Sequence, residues 1–346
     1  MKTQVNAVPF PCDAQSSTFF AALASALLPA LGYTEETPFY CAPKGSFCVN
    51  CGNCKHSAPQ KHQAQLYHDY QTLTGVSFGW AWPEGEPDEL IGFIMGHAGL
   101  TWRRLSKDTG QDAAYQAIAA SIDAGLPTLL KAGAGRNWHV VTGEKNGVLY
   151  ALRYNGKKPA SLPKWFEPFE DAIVITGRCE PTVTLADVLR RVIAVLEQPA
   201  HAALEAEIDR RIDEITTENA RETAIWLNDR AGFPIEARYH AAVAFSSGET
   251  AVNGLQRMTS NKAVKDLFGR IFFSYLADDH DETHGVLWKV WALLGVGPKT
   301  GYAVPKNAGG LVMVPETRAE LKRLFALVCK NDRDVLAVLR EALVLL

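Results

Sequence analysis

Apolar residues recur at helical spacing along Phe19–Leu31, at Phe19, Phe20, Leu23, Leu27 and Leu31, and predict a buried helix. Ser16, Ser17 and Thr18 precede it as hydroxyl N-caps, and Gly32 closes it. The pattern changes between Leu126 and Gly156, where three strands are expected. Leu126–Ala132 is an apolar run, Gly133–Asn137 a glycine-rich loop, and Trp138–Gly143 and Val148–Arg153 are rich in β-branched and aromatic residues. Glu144-Lys145-Asn146-Gly147 between the last two is a hairpin turn, because Asn-Gly accepts positive φ cheaply. Further helices are expected over Gln60–Thr74, Pro87–His97 and Asp112–Asp123, and strands over Leu100–Leu105 and Asp171–Thr176, with a loop at Pro159–Pro168. Leu73–Trp82 alternates small and aromatic residues and reads as a strand or as a tight segment passing under a pocket. Phe78, Trp80 and Trp82 would then share one face, either packed in the core or forming a wall toward a substrate.

From Thr184 onward strand patterns all but vanish. Helices are expected at about 184–197, 201–215, 216–230, 235–245, 248–258, 261–277, 283–294, 316–329 and 332–345, with a Gly- and Pro-rich loop at 296–310. The fold class is therefore α+β. An N-terminal domain with an antiparallel sheet over 1–182, carrying a Cys-rich loop at 41–54, is followed by an all-α domain over 183–346.

Composition narrows the function classes. The chain has 346 residues, 47% of them hydrophobic and 21% charged, enough for two domains with sizeable cores. Lys plus Arg is 35 against 38 Asp plus Glu, a net charge of −3, so no basic excess points to nucleic acid. The longest apolar stretch is interrupted by Ser25 and Pro29 and is too short to span a bilayer, so no membrane partner and a cytoplasmic location are expected. In a reducing compartment the seven cysteines are thiols or metal ligands rather than disulfides.

Two constellations carry candidate chemistry. His139 opens the second strand of the hairpin, and Asn155 lies just past the end of the third. An amide that bonds an imidazole fixes its tautomer, which a general base requires; the alternative is a partly buried His bonded to a backbone carbonyl. Arg136 in the glycine loop could hold a carboxylate. The second constellation is Cys41, Cys48, Cys51 and Cys54, a Cys-x6-Cys-x2-Cys-x2-Cys array with Gly45 and Gly52 between the thiols. Four thiolates suit tetrahedral zinc or an iron–sulfur cluster; the alternative is a loop of free thiols.

A leading helix N-terminus, a small-and-aromatic segment, a helix feeding a Gly-x-Pro strand and a Trp-His hairpin followed by Asn together resemble the papain-like cysteine-enzyme superfamily. The likeness is to the double-glycine leader-peptidase group and to the acyltransferase family typified by the butirosin-biosynthesis acyltransferase, which also carries a helical C-terminal domain. It implies a thiol at the first helix start, His139 as base, Asn155 as its orienting partner and Gln15 as an oxyanion donor. The sequence departs from the pattern at the nucleophile, where Thr18, or by one shift Ser17, stands in place of Cys. Cys12 is the nearest relocated thiol. The implied function is a hydrolase or acyltransferase acting on a peptide, amide or acyl-carrier thioester, with Trp138, Phe78, Trp80 and Arg136 near the substrate. The alternative is a relative that keeps the fold, has lost the nucleophile, and binds a peptide or another small ligand.

Overall fold

The computed structural model describes Val5 and residues 17–33, 58–80, 85–132, 137–153, 156, 158–245, 254–276 and 283–346. Gln15, Cys12, Arg136, Asn155 and the four clustered cysteines Cys41, Cys48, Cys51 and Cys54 lie outside these residues. The chain is mixed helix and antiparallel sheet and divides into two units.

The first unit comprises Met1–Tyr70 and Gly85–Thr184. Its helices are α1 (Thr18–Ala30), α2 (Ala58–Leu73, whose last turn belongs to the second unit), α3 (Asp88–Ala98) and α4 (Gln111–Asp123). Its strands are β1 (Leu100–Ser106), β2 (Thr128–Ala132), β3 (Trp138–Lys145), β4 (Val148–Leu152), β5 (Ala160–Leu162) and β6 (Phe169–Arg178). They form one sheet in the order β1-β6-β2-β3-β4-β5, every neighbouring pair antiparallel. The β3–β4 turn has Asn146 at φ 50° and Gly147 at φ 80°, the two positive values that a type I′ turn needs. β5 occupies part of the expected Pro159–Pro168 loop. It is a short edge strand bounded by Pro159 and Pro163, residues that an edge tolerates because no ladder donor is lost.

Each sheet face has its own cover. Leu130, Ala132, Val141, Ala172 and Val174 pack with Ala114, Ala117, Ile118 and Ile122 of α4. Leu129, Lys131, Trp138 and Val140 have the opposite parity, and Trp138 meets Phe19 of α1 edge-on at 5.4 Å between centroids. α1 starts as its sequence predicts: Ser17 Oγ accepts from the Phe20 N–H at 3.3 Å.

The second unit comprises Gln71–Glu84 and Leu185–Leu346, so the segment Gln71–Glu84 belongs with the helices and not with the sheet. Its helices are α5 (Leu185–Leu196), α6 (Pro199–Asp213), α7 (Ala220–Phe245), α8 (Lys262–Leu276), α9 (Thr283–Leu294), α10 (Ala308–Val312) and α11 (Pro315–Val344). Of the strand or tight segment expected at Leu73–Trp82, the strand does not form: the end of α2 is followed by a left-handed Gly75 at φ 80° and a 3₁₀ turn, Val76–Phe78. Strand parity therefore does not apply to its aromatics. The segments expected as two helices at 216–230 and 235–245 are one helix, α7, with Pro234 buried inside it. Those expected at 316–329 and 332–345 are likewise one helix, α11.

A buried ion pair ties this unit together. Arg238 of α7, with no exposed side-chain surface, grips Asp332 of α11 through Nη2 to Oδ2 at 2.6 Å and Nε to Oδ1 at 3.2 Å. Its remaining N–H groups donate to the carbonyls of Phe78, Gly79 and Pro234 at 3.0, 2.8 and 2.9 Å. The Tyr275 hydroxyl donates to Asp332 Oδ1 at 2.8 Å. The guanidinium thus does what a strand ladder would have done for the 77–79 backbone: it satisfies buried carbonyls. Among the described residues no helix is long and apolar enough to cross a membrane.

Candidate functional site

The leading turn of α1 docks on the start of β3. Among the described residues β4 pairs with β3 only from Val140 onward, so on that side Trp138 has no described strand partner. The Trp138 N–H donates instead to Thr18 Oγ1 at 3.4 Å. Ser17 is held by its N–H donating to the Tyr67 hydroxyl of α2 at 3.3 Å. Of the two hydroxyls predicted at the helix start, Thr18 Oγ1 lies against the hairpin and Ser17 Oγ caps the helix.

The β3 side chain that packs on α1 is Trp138, against Phe19. Its indole is buried, and Nε1–H donates to Glu86 Oε1 at 3.0 Å. Glu86 Oε2 receives Lys131 Nζ at 3.0 Å, and Lys131 Nζ lies 5.5 Å from the Trp138 ring centroid. Asp171 is the cross-strand partner of Lys131, and Arg104 reaches its Oδ2 at 3.5 Å. Burial raises the Asp171 carboxyl above the ordinary carboxylate range, and the charges of Arg104 and Lys131 work against that. The polar surface of this face comes from Lys131 and Glu86, whose side chains are 20% and 19% exposed, together with Arg104 and Asp171.

His139 looks the other way. It pairs with Leu130 and stands two residues before Val141, both of which pack on the α4 face. Paired residues across an antiparallel ladder share a face, and consecutive strand residues do not. Its Nε2–H donates to the Ala132 carbonyl at 3.2 Å, and Nδ1 is buried without a hydrogen-bond partner. The imidazole sits below its ordinary pKa, chiefly through burial; the Ala132 carbonyl opposes this and Arg153 reinforces it. At neutral pH the ring is uncharged, with an unused lone pair. The expected bond between His139 and a nucleophile at the α1 start does not form, because one step along a strand reverses the face.

The remaining predicted residues disperse. Phe78 is fully buried among Phe245 and Tyr275 of the helical unit, a core position and not a substrate wall. Trp80 lies under the Arg238 guanidinium, 4.6 Å from its ring centroid, and borders a cavity of that unit. Cys179 and Cys329 are free thiols, and burial raises Cys329 to about 12, which makes it a poor nucleophile. Among the described residues no group of three or more His, Cys, Asp or Glu is placed to hold a metal. Sequence reasoning missed Glu86 and Lys131. The second left a trace as the one charge inside the apolar run Leu126–Ala132; the first left none.

No family model, curated protein or solved structure matches the chain. What α1 and β3 bring together is then the whole basis for assigning a role. The Thr18 hydroxyl accepts from the Trp138 backbone N–H there, and the Trp138 indole packs on Phe19; neither the amide nor the indole can accept a proton.

Proposed function

We propose that the first unit is a papain-like domain that has lost acyl-transfer chemistry and binds a peptide or another small ligand. One observation carries this: the side chain that β3 turns toward α1 is Trp138, packed on Phe19 of its first turn, where a nucleophile would need a base. The Glu86–Lys131 pair gives the same face one carboxylate and one ammonium for a polar ligand. With p-nitrophenyl acetate and with an S-acetyl thioester, the protein is expected to give no stoichiometric burst, and His139→Gln is expected to leave the background rate within about twofold. An iodoacetamide-sensitive burst that His139→Gln abolishes would contradict the proposal. Ligand binding is read on an array of random peptides, where retention above that of Lys131→Gln is expected and equal retention counts against it.

A catalytic reading has one observation in its favour, the unpartnered Nδ1 of a neutral His139. It requires a nucleophile on the α4 face of the sheet, and Cys12 is the thiol named for it. The burst assay separates the two readings directly.

We also propose that Cys41, Cys48, Cys51 and Cys54 hold zinc or an iron–sulfur cluster, because four thiols in a Cys-x6-Cys-x2-Cys-x2-Cys array form a soft donor set. Protein purified without oxygen is expected to carry about one equivalent of Zn, or stoichiometric Fe with sulfide. Metal below about a tenth of an equivalent would refute this.

A further inference from the structure

The helical unit contains a cavity of about 480 Å³, within the range that encloses an organic molecule. Trp80 forms one wall. Its position is set twice over: the Arg238 guanidinium covers its ring, and Arg230 Nη1 donates to its carbonyl at 2.6 Å. His201 of α6 meets the indole edge-on, 6.4 Å between centroids, and presents an uncharged imidazole. α11 supplies the opposite wall with Asp332, Arg333, Leu336 and Arg340 at helical spacing.

Every charge of this lining has a partner, but two guanidinium groups keep unused N–H edges. Asp332 is neutralised from behind by Arg238 and adds nothing to the cavity. Glu197 occupies Nε and Nη2 of Arg340 at 3.1 and 2.6 Å and leaves Nη1 unbonded. Arg333 gives only Nη1 to Glu205, which is not part of the lining, at 2.6 Å. Two guanidinium groups of the lining, each with one carboxylate partner, thus keep N–H edges free for a further acceptor. A guanidinium edge matches a carboxylate in shape and charge, and aromatic walls accept a planar ring.

We propose that this cavity binds a planar aromatic or heteroaromatic carboxylate, its ring beside Trp80 and its carboxylate on Arg333 and Arg340. The proposal is independent of the peptide-binding reading of the first unit.

Titration calorimetry on the full chain tests it with two probes of the same ring and opposite charge, indole-3-acetate and tryptamine. Indole-3-acetate is expected to bind at one site with Kd below about 1 mM, and tryptamine at least about tenfold more weakly. The double variant Arg333→Gln/Arg340→Gln, which changes only exposed side chains, is expected to weaken indole-3-acetate at least about tenfold. Leu336→Trp, which fills the cavity from its wall, is expected to abolish binding while circular dichroism stays unchanged. The proposal is overturned if indole-3-acetate fails to saturate by about 10 mM, if tryptamine binds equally well, or if neither variant alters the affinity.

Discussion

Arg238→Met is expected to lower the unfolding free energy of the helical unit by about 3–5 kcal/mol, the largest single effect in the molecule. The guanidinium has no exposed surface, and its removal strands Asp332 with only the Tyr275 hydroxyl as a strong partner. It also takes the Arg238 donors away from the Phe78 and Gly79 carbonyls. The loss comes from what remains behind, not from the worth of the pair itself. Arg238→Met/Asp332→Leu is therefore expected to recover a substantial part of it, since apolar replacement of both partners removes the stranded charge. An exposed pair such as Arg323–Glu320 serves as the control, with a change of about 0.5 kcal/mol or less on Arg323→Gln. Urea midpoints measure all three. A loss under about 1 kcal/mol for Arg238→Met would show that the 77–79 turn and α11 hold without it.

The second large effect is the pH dependence that His201 imposes. Burial first, and then the charge of Arg238, push its pKa from the ordinary 6.5 down to about 4, while Asp332 pulls in the other direction. Its side chain is only 9% exposed. Protonation is thus easier in the unfolded chain than in the folded one. Stability from this group is complete above about pH 6.5 and is lost progressively as pH falls toward about 4. At about 1.4 kcal/mol for each pH unit between those values, the total is about 3 kcal/mol. Denaturation of wild type and His201→Gln at pH 7 and pH 4.5 reads the difference. The wild type is expected to lose more stability on acidification by a few kcal/mol, and parallel losses would show that His201 titrates normally.

Much of the fold is legible in the sequence because its signals are local. The 3.6-residue period of α1, the hydroxyl at Ser17 and the Asn146-Gly147 turn each act within a few residues. The errors fall where distant partners decide. Asn331 and Asp332 look like a break between two helices, yet both are buried and bonded, Asn331 to the Ser274 carbonyl at 3.0 Å and Asp332 to Arg238, 94 positions away. Pro234 likewise sits inside a helix whose neighbours bury it. The aromatic row at 78–82 resembles a strand, and the guanidinium that binds its carbonyls is more than 150 positions on.

The site shows the same division. Sequence places Ser17, Thr18 and the Trp138–His139 pair correctly along the chain, and the structure brings α1 and β3 together. Which of the two consecutive residues faces α1 depends on which parity of β2 and β6 packs on α4. That choice is made by Leu130, Ala172 and Val174 against the α4 stripe Ala114, Ala117 and Ile118. A one-residue difference in parity exchanges a base for an indole.

Alkylation of a thiol placed at residue 18 decides this point. In Thr18→Cys, the iodoacetamide rate at that position, followed by mass spectrometry against pH, is expected to be unchanged within about twofold by His139→Gln, and to rise on Trp138→His. A rate that falls at least about tenfold on His139→Gln, with a thiol pKa well below about 8.5 that returns toward it, would place the imidazole beside α1 and contradict the account.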